Sequence, residues 1–311
     1  MMKNFSLGID TSCYTTSLAI VDESGAVVVD ERIPLRVKSG QRGLRQSEAF
    51  YQHVLNLPSL FEKASPYSKS ISHVSASSKP RNIENYYMPV FGAGTAFAKT
   101  VSSLLELPLN LFSHQEGHIY SVLPESGINE RYPFYVVHLS GGTAEIMSAS
   151  LQNGRISTKI IGGSLDITAG QLIDRLGVRL GYGFPSGKAL DEIAYEGKSI
   201  DSYRISVKNG YFNLSGVENM YEKDISSGVD VSEIIHKTFK CISDTLSRSF
   251  SNLDMTSKPV LMTGGVSASR FLKNSLSVKS GSIHFGPASL CTDNAVGIAR
   301  MGINLSGADQ K

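Results

Sequence analysis

Two histidines one helical turn apart are the residues of this chain whose types and spacing most directly suggest chemistry. They lie in residues 113–118 (SHQEGH), after an apolar run typical of a strand, and Ser113 is a favourable residue at which to begin a helix. On a helix, His114 and His118 lie one above the other on one face, where two imidazoles can bind one metal ion. Spacing alone leaves an equal alternative, in which the two histidines are partly exposed beside a loop.

Glu116 distinguishes this pattern from the helix of zinc proteases. In those helices the glutamate directly follows the first histidine, whereas Glu116 comes two residues after His114 and points about 200° around the helix from it. From that position it cannot easily act as the base on a metal-bound water. A metalloprotease is therefore the function that the sequence favours least.

A metal site needs a third ligand, for which the sequence offers two candidates. Asp293 stands in residues 291–294 (CTDN), at the start of a predicted closing helix, and His138 stands near the end of an apolar strand. A carboxylate in the first turn of a helix commonly stabilises the helix end, and a histidine at the end of a buried strand is usually a hydrogen-bonded core residue. The residues alone leave both alternatives open.

The composition is that of a globular protein. Of its 311 residues, 41% are hydrophobic and 19% are charged. A chain of this length is long enough to form two domains. It contains no apolar run near the ~20 residues of a membrane helix, so we expect no membrane partner. Three widely spaced cysteines suit reduced thiols in the cytoplasm, where we expect the protein. The net charge of +2 is too weak to predict nucleic-acid binding by itself.

One basic segment stands out from this balance. Only Glu31 opposes its cations, which are Arg32, Arg36, Lys38, Arg42 and Arg45. A solvated loop is the more common reason for such a segment, and a patch that faces phosphate groups is the alternative.

A repeated order of elements indicates the fold. A strand at residues 5–10 (FSLGID) is followed by a polar turn and two further strands, and the same order recurs from residues 134–139 (FYVVHL). The repeat predicts two similar α/β halves with a cleft between them, the duplicated layout of the actin-like, Hsp70-like and sugar-kinase-like ATPases. We expect the domains at residues 1–133 and 134–311, with the closing helix, near residues 293–303, packing back on the first.

The polar turns of the two copies are candidates for binding phosphate. The first contains Asp10, Thr11 and Ser12, and the second contains Ser140, Gly141, Gly142 and Thr143. Glycine lets the backbone approach a ligand, and successive N–H groups can bind an anion. A tight hairpin needs the same residue types, but the equivalent places of the two turns in the repeat favour a phosphate or nucleotide site.

A third turn, at residues 263–267 (TGGVS), lies between a predicted strand and a predicted helix. An adenosine could rest on Gly264, Gly265 and the start of the helix, or the segment could be a plain connection. Asp174 and Asp191 lie on separate predicted helices around a loop at residues 182–187 (YGFPSG). Exposed carboxylates on helices are usually solvated, so the residues alone predict a structural role for both.

Together these motifs resemble the TsaD/Gcp family, once called O-sialoglycoprotein endopeptidases. Residues 8–13 (GIDTSC) resemble the family's opening motif, residues 114–118 its metal-binding H-x-E-G-H, and residues 140–142 its second phosphate turn. Residues 264–268 (GGVSA) and 291–294 match its late motifs. Five motifs in the same order at similar intervals are specific for the superfamily, and the resemblance runs over nearly the whole chain.

The resemblance implies an actin-like fold in which His114, His118 and Asp293 bind one iron or zinc ion. It also implies that Asp174, Gly187 and Asp191 contact an adenylate, with Gly142 near the phosphate. Members of the family transfer a threonylcarbamoyl group from threonylcarbamoyl-AMP to N6 of the adenosine that follows the tRNA anticodon. The expected substrate is therefore that adenylate or another adenine nucleotide. The expected partners are tRNA and either TsaB-type and TsaE-type proteins or a second copy of the chain.

The chain departs from the family pattern at several places. Residues 78–82 (SKPRN) replace a Gly-Pro-Gly loop, so that Lys79 and Arg81 stand where flexible backbone is usual and could hold an anion. Thr143 replaces a histidine or asparagine, Ser269 replaces an asparagine that contacts the nucleotide, and His138 stands where some members have a tyrosine ligand. These departures indicate a divergent bacterial paralogue of the transferase.

Two other functions fit parts of the sequence. An ATP-dependent small-molecule kinase or carbamoyltransferase of the same fold could use Lys79 and Arg81, but it needs no histidine pair. A non-catalytic scaffold subunit has no need to keep metal ligands, so the presence of His114 and His118 argues against it.

Overall fold

The chain forms two compact units in a computed structural model that describes residues 4–12, 14–37, 44–82, 88–197, 201–277 and 282–308. The first unit comprises Met1–Pro124, Leu151–Ser157 and Asp293–Lys311, and the second comprises Glu125–Ser150 and Thr158–Thr292. The expected boundary at residues 133 and 134 lies within the second unit, and the closing helix belongs to the first. Cys13 of the opening motif, and Lys38 and Arg42 of the basic segment, lie outside the described residues.

The elements of the described chain have the following bounds. The strands are β1 (Phe5–Ser12), β2 (Thr15–Val21), β3 (Val27–Pro34), β4 (Ile71–Lys79), β5 (Leu109–Ser113), β6 (Phe134–Leu139), β7 (Ala144–Gln152), β8 (Arg155–Ser164), β9 (Val207–Lys208), β10 (Tyr211–Phe212), β11 (Val260–Thr263) and β12 (Ile283–Phe285). The α-helices are α1 (Gln46–Ala64), α2 (Phe91–Leu105), α3 (His114–Val122), α4 (Ala169–Arg179), α5 (Gly187–Glu196), α6 (Gly216–Ser226), α7 (Val231–Asn252), α8 (Arg270–Ser277), α9 (Ala288–Cys291) and α10 (Val296–Ala308). Short 3-10 helices occupy Ser65–Ser70, Leu123–Glu125 and Gly265–Ala268.

The first unit is built on a sheet in the order β3-β2-β1-β4-β5. Strands β1, β2 and β3 form the expected antiparallel meander, while β4 and β5 are parallel to β1 on its other side. Every residue of β1 is buried. Because side chains alternate along a strand, Gly8 and Asp10 face one side of the sheet, and Ile9 and Thr11 face the other.

The connection between β1 and β2 is shorter than the sequence suggested. Thr11 and Ser12 are the last residues of β1, and Ser12 pairs with Thr15 at the start of β2. A two-residue connection suits the twist of a hairpin, so the hydrogen-bonded ladder extends through these polar residues. The prediction that Thr11 and Ser12 form a turn is therefore wrong, because both are strand residues, whereas Asp10 lies in the strand predicted for residues 5–10.

The second unit repeats the strand order of the first. Its sheet runs β12-β11-β6-β7-β8-β10-β9, so that β8-β7-β6-β11-β12 matches β3-β2-β1-β4-β5 element by element. The pair β6 and β7 is antiparallel, and β11 and β12 are parallel to β6. The duplication predicted from the two strand patterns is thus present in the sheet topology.

The β7–β8 hairpin supplies residues to the first unit. Its turn contains Asn153 and Gly154, both with positive φ, as the tight turn of a twisted hairpin requires. Residues 151–157, which include this turn and the start of β8, belong to the first unit.

Among the residues that the structure describes, no helix is long and apolar enough to cross a membrane.

Candidate metal centre

Helix α3 begins where its sequence predicts, at the residue after Ser113. The Ser113 hydroxyl accepts a hydrogen bond from the Glu116 backbone N–H at 3.2 Å, and the Glu116 carboxylate accepts from the Ser113 N–H at 2.7 Å and from its hydroxyl at 2.8 Å. This reciprocal capping box satisfies backbone donors that a helix start leaves open. Glu116 is only 2% exposed. Its carboxylate is therefore engaged in fixing the helix.

The two histidines of α3 face the same acidic group. Their ring centroids are 4.3 Å apart. Asp293 Oδ1 lies 3.7 Å from His114 Nε2 and 3.2 Å from His118 Nε2. All three residues belong to the first unit. One ring nitrogen of each histidine and one oxygen of Asp293 thus lie within 4.8 Å of one another.

Three glycines allow Asp293 to reach this position. A Cβ on Gly297 would collide with the Gly117 carbonyl, and a Cβ on Gly117 would lie 2.9 Å from Ile298 Cδ1, so α10 and α3 touch backbone to backbone. A Cβ on Gly8 would lie 2.6 Å from the Ala295 carbonyl oxygen. The start of α10 therefore packs directly on both β1 and α3 and carries Asp293 with it.

Asp10 provides the fixed support for the first histidine. Its Oδ1 lies 3.0 Å from His114 Nδ1, and its side chain is fully buried. The carboxylate accepts a hydrogen bond from Nδ1–H, which leaves Nε2 of His114 as the nitrogen that can act as a ligand. Metal-binding histidines usually have such a partner. Asp10 was expected to belong to a phosphate-binding turn. Its contact with His114, which lies 104 positions later in the chain, has no signature in the sequence.

The charges of the centre are strongly coupled. Burial raises the pKa of Asp10, but the charge and hydrogen bond of His114 outweigh burial and hold this pKa below its usual value. Burial lowers the pKa of His114, yet the charge and hydrogen bond of Asp10 raise it to about 9. Burial and the neighbouring His114 lower the pKa of His118. Because Asp10 favours the protonated form of His114 and a metal ion binds only a ring nitrogen without a proton, a metal ion competes with a proton at this histidine.

The donors fit a transition-metal ion. Metal–nitrogen bonds of about 2.0–2.1 Å at tetrahedral angles place neighbouring donors about 3.4 Å apart. The separations of Asp293 Oδ1 from the two histidine nitrogens, 3.7 and 3.2 Å, bracket this value, and all three donor atoms lie within 4.8 Å of one another. In the described part of the chain, His114, His118 and Asp293 are the set of histidine, cysteine and acidic residues whose ligand atoms lie close enough together to hold one metal ion. Two histidines and one carboxylate suit zinc and also non-haem iron.

His138 lies elsewhere, on β6 of the second unit. It is 4% exposed and pairs with Thr263 and Glu145 on the neighbouring strands. Its ring packs against Gly264, where a Cβ would lie 2.7 Å from His138 Cδ2. Its proposed role as a further ligand stays a prediction.

Thr11 and Ser12 are buried at the end of β1. The Thr11 hydroxyl donates to the Val90 carbonyl at 3.0 Å and accepts from the Gly94 N–H at 3.1 Å, which ties β1 to the start of α2. Ser12 is 2% exposed. Contact of these residues with a nucleotide stays a prediction.

The turn of the second unit is more open. The Ser140 hydroxyl accepts from the N–H groups of Gly142 and Thr143, and the Thr168 hydroxyl donates to the Gly141 carbonyl at 3.0 Å. Gly141 and Gly142 are exposed, with no atom within 4 Å of an added Cβ. The start of α4 thus supports the turn from behind and leaves the two glycines accessible.

Asp174 and Asp191 both bind backbone N–H groups of the second unit. Asp174 Oδ1 accepts from the Ser186 N–H at 2.8 Å, and burial raises its pKa, although this bond acts in the opposite direction. Asp191 accepts from the Arg270 N–H at 2.8 Å, the Phe271 N–H at 3.2 Å and the Ser269 hydroxyl. The Ser269 hydroxyl in turn accepts from the Leu272 N–H at 3.0 Å. Asp191 and Ser269 together cap α8.

The remaining glycines of the motifs differ in the room around them. Gly264 has a φ of 89°, and a Cβ there would collide with the Leu139 carbonyl. Gly265 is exposed, and its nearest neighbour to an added Cβ is Thr292 at 3.8 Å. Gly187, at the start of α5, has open space. Gly264 is therefore required by packing, whereas Gly265 and Gly187 leave room for a ligand.

The altered loop lies beside α3, the helix that carries His114 and His118. Lys79 ends β4 and pairs with Ser113, and the Pro80 carbonyl accepts from the Gln115 N–H at 3.0 Å. Lys79 and Arg81 are both partly exposed. The two cations therefore stand next to the first turn of α3.

Arg155 is a residue that the sequence analysis missed. It is the first residue of β8, and its guanidinium reaches Glu116 of the capping box. Nothing in a single sequence pairs a hairpin arginine with a motif 39 positions earlier.

The fold and this centre define a duplicated α/β protein with a cluster of two histidines and one carboxylate. Solved structures of the actin-like, sugar-kinase-like fold align with nearly all of it. Component A of (R)-2-hydroxyglutaryl-CoA dehydratase from Acidaminococcus fermentans aligns with a TM-score of 0.60 at 17% identity, over 98% of this chain and 99% of that one. A ROK family glucokinase from Streptomyces griseus aligns with a TM-score of 0.51 at 12% identity, over 96% and 99%. The expected fold class is confirmed.

Sequence relatives narrow this class to one family. Residues 91–300 match TsaD, tRNA N6-adenosine threonylcarbamoyltransferase. Proteins of that name from Sulfurihydrogenibium sp. and Thermosipho melanesiensis are each 30% identical to this chain, over 95% and 96% of it and 89% and 94% of their own lengths. The chain belongs to this family of transferases. The expected family membership and the expected enzyme class are confirmed.

Proposed function

We propose that this protein transfers a threonylcarbamoyl group from threonylcarbamoyl-AMP to N6 of an adenosine in tRNA, with one iron or zinc ion bound by His114, His118 and Asp293. Family membership supports the reaction. The observation that supports the metal most directly is the position of His114 between two carboxylates. Asp10 holds its Nδ1 at 3.0 Å, and Asp293 lies 3.7 Å from its Nε2.

Three side chains of the centre would hold the ion. His114 and His118 each offer a ring nitrogen, and Asp293 offers an oxygen that carries negative charge. A set of three protein ligands leaves coordination positions for a substrate oxygen. When bound, the ion supplies a Lewis acid that orients the carbamoyl-phosphate end and stabilises negative charge as it develops.

The transfer needs no protein nucleophile. The N6 amine of adenosine forms a C–N bond to the carbamoyl carbon, the C–O bond to the phosphate breaks, and AMP leaves with the electron pair while N6 loses a proton. Glu116 is held by Ser113 in the capping box, so it is not placed to take this proton. Asp10 is buried against His114 and serves to orient it.

Open glycines of the second unit support our assignment of the adenylate contacts. Gly141 and Gly142 expose a turn at the end of β6, and Gly187 and Gly265 stand at helix starts with free space beside them. Backbone N–H groups at such places bind phosphate oxygens, and the missing side chain permits a close approach. We assign the phosphate to the Gly141–Gly142 turn and the nucleoside to the neighbourhood of Asp174 and Gly187.

The loop at residues 78–82 is assigned to the acceptor side. Lys79 and Arg81 bring two positive charges to the start of α3, where Pro80 is bonded to Gln115. Positive charge at this place suits the phosphate groups of tRNA. TsaB-type and TsaE-type proteins, or a second copy of the chain, are the partners that we propose.

The direct test is incubation of the protein with threonylcarbamoyl-AMP, unmodified tRNA and the partner proteins, followed by nucleoside analysis of the tRNA. We expect threonylcarbamoyladenosine and free AMP in equal amounts. A parallel reaction with ATP and no threonylcarbamoyl-AMP should release no ADP in excess of the blank, which separates the transferase from a kinase of the same fold. If metal binds but no modified nucleoside forms, the proposed reaction is wrong.

A further inference from the structure

We propose that Arg155 is a positioning residue of the metal centre, which it stabilises through Glu116 and the start of α3. The proposal rests on the metal site of the proposed function. Arg155 touches none of the three ligands. Its effect on the ion passes through the capping box that places His114.

Arg155 is held at three points. Its Nη2 donates to the Leu111 carbonyl at 3.0 Å, and its guanidinium carbon lies 5.0 Å from the centre of the Phe112 ring. Its Nε and Nη2 lie 3.4 Å from the two oxygens of Glu116. The Leu111 carbonyl and the Phe112 ring orient the guanidinium, so that two of its nitrogens face the carboxylate of Glu116.

Glu116 needs this cation because its carboxylate is almost completely buried. A buried carboxylate is costly unless it is both hydrogen-bonded and paired with a positive charge. Ser113 supplies the hydrogen bonds, at 2.7 and 2.8 Å, and Arg155 supplies the charge. Removal of Arg155 leaves the carboxylate of Glu116 buried without this cation, which favours its rotation towards water. That rotation weakens the capping box.

The capping box is the structure that sets the position of His114. Ser113 is the last extended residue before α3, and His114 is the first helical one. A weaker cap lets the first turn fray, and His114 then departs from Asp10 and Asp293. His118 lies one turn deeper and is less affected.

The same hairpin also touches α10, the helix that follows Asp293 in the chain. A Cβ on Gly154 would lie 2.8 Å from Leu305 Cδ2 of α10. Residues 154 and 155 therefore contact α10 at Leu305 and the first turn of α3 at Glu116. The tip of the hairpin thus packs against both α3 and α10.

The test compares Arg155→Ala, Arg155→Lys and Arg175→Ala. Arg175 is a matched control, because its side chain is 40% exposed, as that of Arg155 is, and it pairs with Glu218 at 2.8 Å in the second unit. The affinity for zinc is measured by competition with a chelator, and exchange of the α3 backbone amides is measured by mass spectrometry. We expect Arg155→Ala to weaken zinc binding about 10- to 100-fold and to speed exchange in the first turn of α3. Arg175→Ala should change neither.

Two further variants separate positioning from a general loss of stability. Arg155→Lys keeps the positive charge but not the planar guanidinium with its two donor nitrogens. Its zinc affinity should therefore lie between those of Arg155→Ala and the wild type. In a background of Glu116→Gln, Arg155→Ala should have little further effect, because the charge that it balances is gone. Equal zinc affinity and equal α3 exchange in wild type and Arg155→Ala would overturn the proposal. If the wild type binds no zinc or iron, the proposed metal site fails, and the amide exchange still decides whether Arg155 holds the cap.

Discussion

The carboxylate of Asp10 lies 3.0 Å from Nδ1 of His114 although the two residues are 104 positions apart in the chain. Asp10 is on the central strand β1, and His114 opens α3. The contact fixes the ring of His114 with its Nε2 towards Asp293. A rigid strand therefore determines which nitrogen of the first histidine is available to an ion.

Asp10→Asn should weaken metal binding about 10- to 100-fold, the usual effect of losing the carboxylate behind a ligand histidine. The amide keeps the shape but not the charge that holds the Nδ1 proton. Chelator competition measures the loss. Asp30→Asn is the control, because Asp30 pairs with Arg32 on β3 at 2.8 Å, away from the ligands. Equal affinities for the two variants would refute the role of Asp10.

Gly297→Ala should disrupt the contact between α10 and α3. The added Cβ would strike the Gly117 carbonyl, so the helices must separate, at a cost of about 1–3 kcal/mol in the free energy of unfolding. Metal binding should fall with it, because Asp293 moves with α10. The comparison is Gly216→Ala at the start of α6, where an added Cβ meets no atom within 4 Å. Urea unfolding and zinc titration of both variants check this, and a Gly297→Ala protein with normal zinc affinity would contradict it.

Asp191→Ala should destabilise the second unit by about 1–2 kcal/mol, because it removes the acceptor for two N–H groups at the start of α8. Glu192→Ala, at the exposed neighbouring position of α5, should be close to neutral. Urea unfolding gives both values. An Asp191→Ala protein as stable as the wild type, but with weaker adenylate binding, would show that its carboxylate serves the ligand rather than the helix.

Asp166 gives the stability of the second unit a defined pH dependence. Burial raises its pKa, but hydrogen bonds from the Ser215 hydroxyl and from the N–H groups of Leu214, Ile167 and Ser215 together outweigh burial and lower it to about 2. A lowered pKa adds stability that is complete above the ordinary value of 3.8 and is lost as the pH falls towards 2. The difference in urea midpoint between wild type and Asp166→Asn should therefore be larger at pH 7 than at pH 3. A constant difference would contradict this assignment.

Local chemistry explains what could be predicted from the sequence. The start of α3 at Ser113 follows from a capping residue and a glutamate three positions later, and both act within one turn. The duplication could be predicted because each copy has its own strand and turn pattern.

The features that could not be predicted depend on distant parts of the chain. Thr11 and Ser12 have turn-forming side chains, yet pairing with β2 keeps them in a strand. The closeness of Gly297 to Gly117 has no local signature beyond the glycines themselves. Arg155 acts on Glu116 from a hairpin, and Asp191 caps a helix that begins 79 positions later. Tertiary packing determines each of these contacts.

The most direct measurement is the yield of threonylcarbamoyladenosine from metal-depleted protein before and after one equivalent of iron or zinc is restored. Both reactions contain threonylcarbamoyl-AMP, unmodified tRNA and the partner proteins, and His118→Ala is run beside the wild type. We expect product only from the restored wild type, because His118→Ala lacks the ligand 3.2 Å from Asp293. Equal yields from depleted and restored wild type, or full yield from His118→Ala, would contradict a transferase that depends on this metal centre.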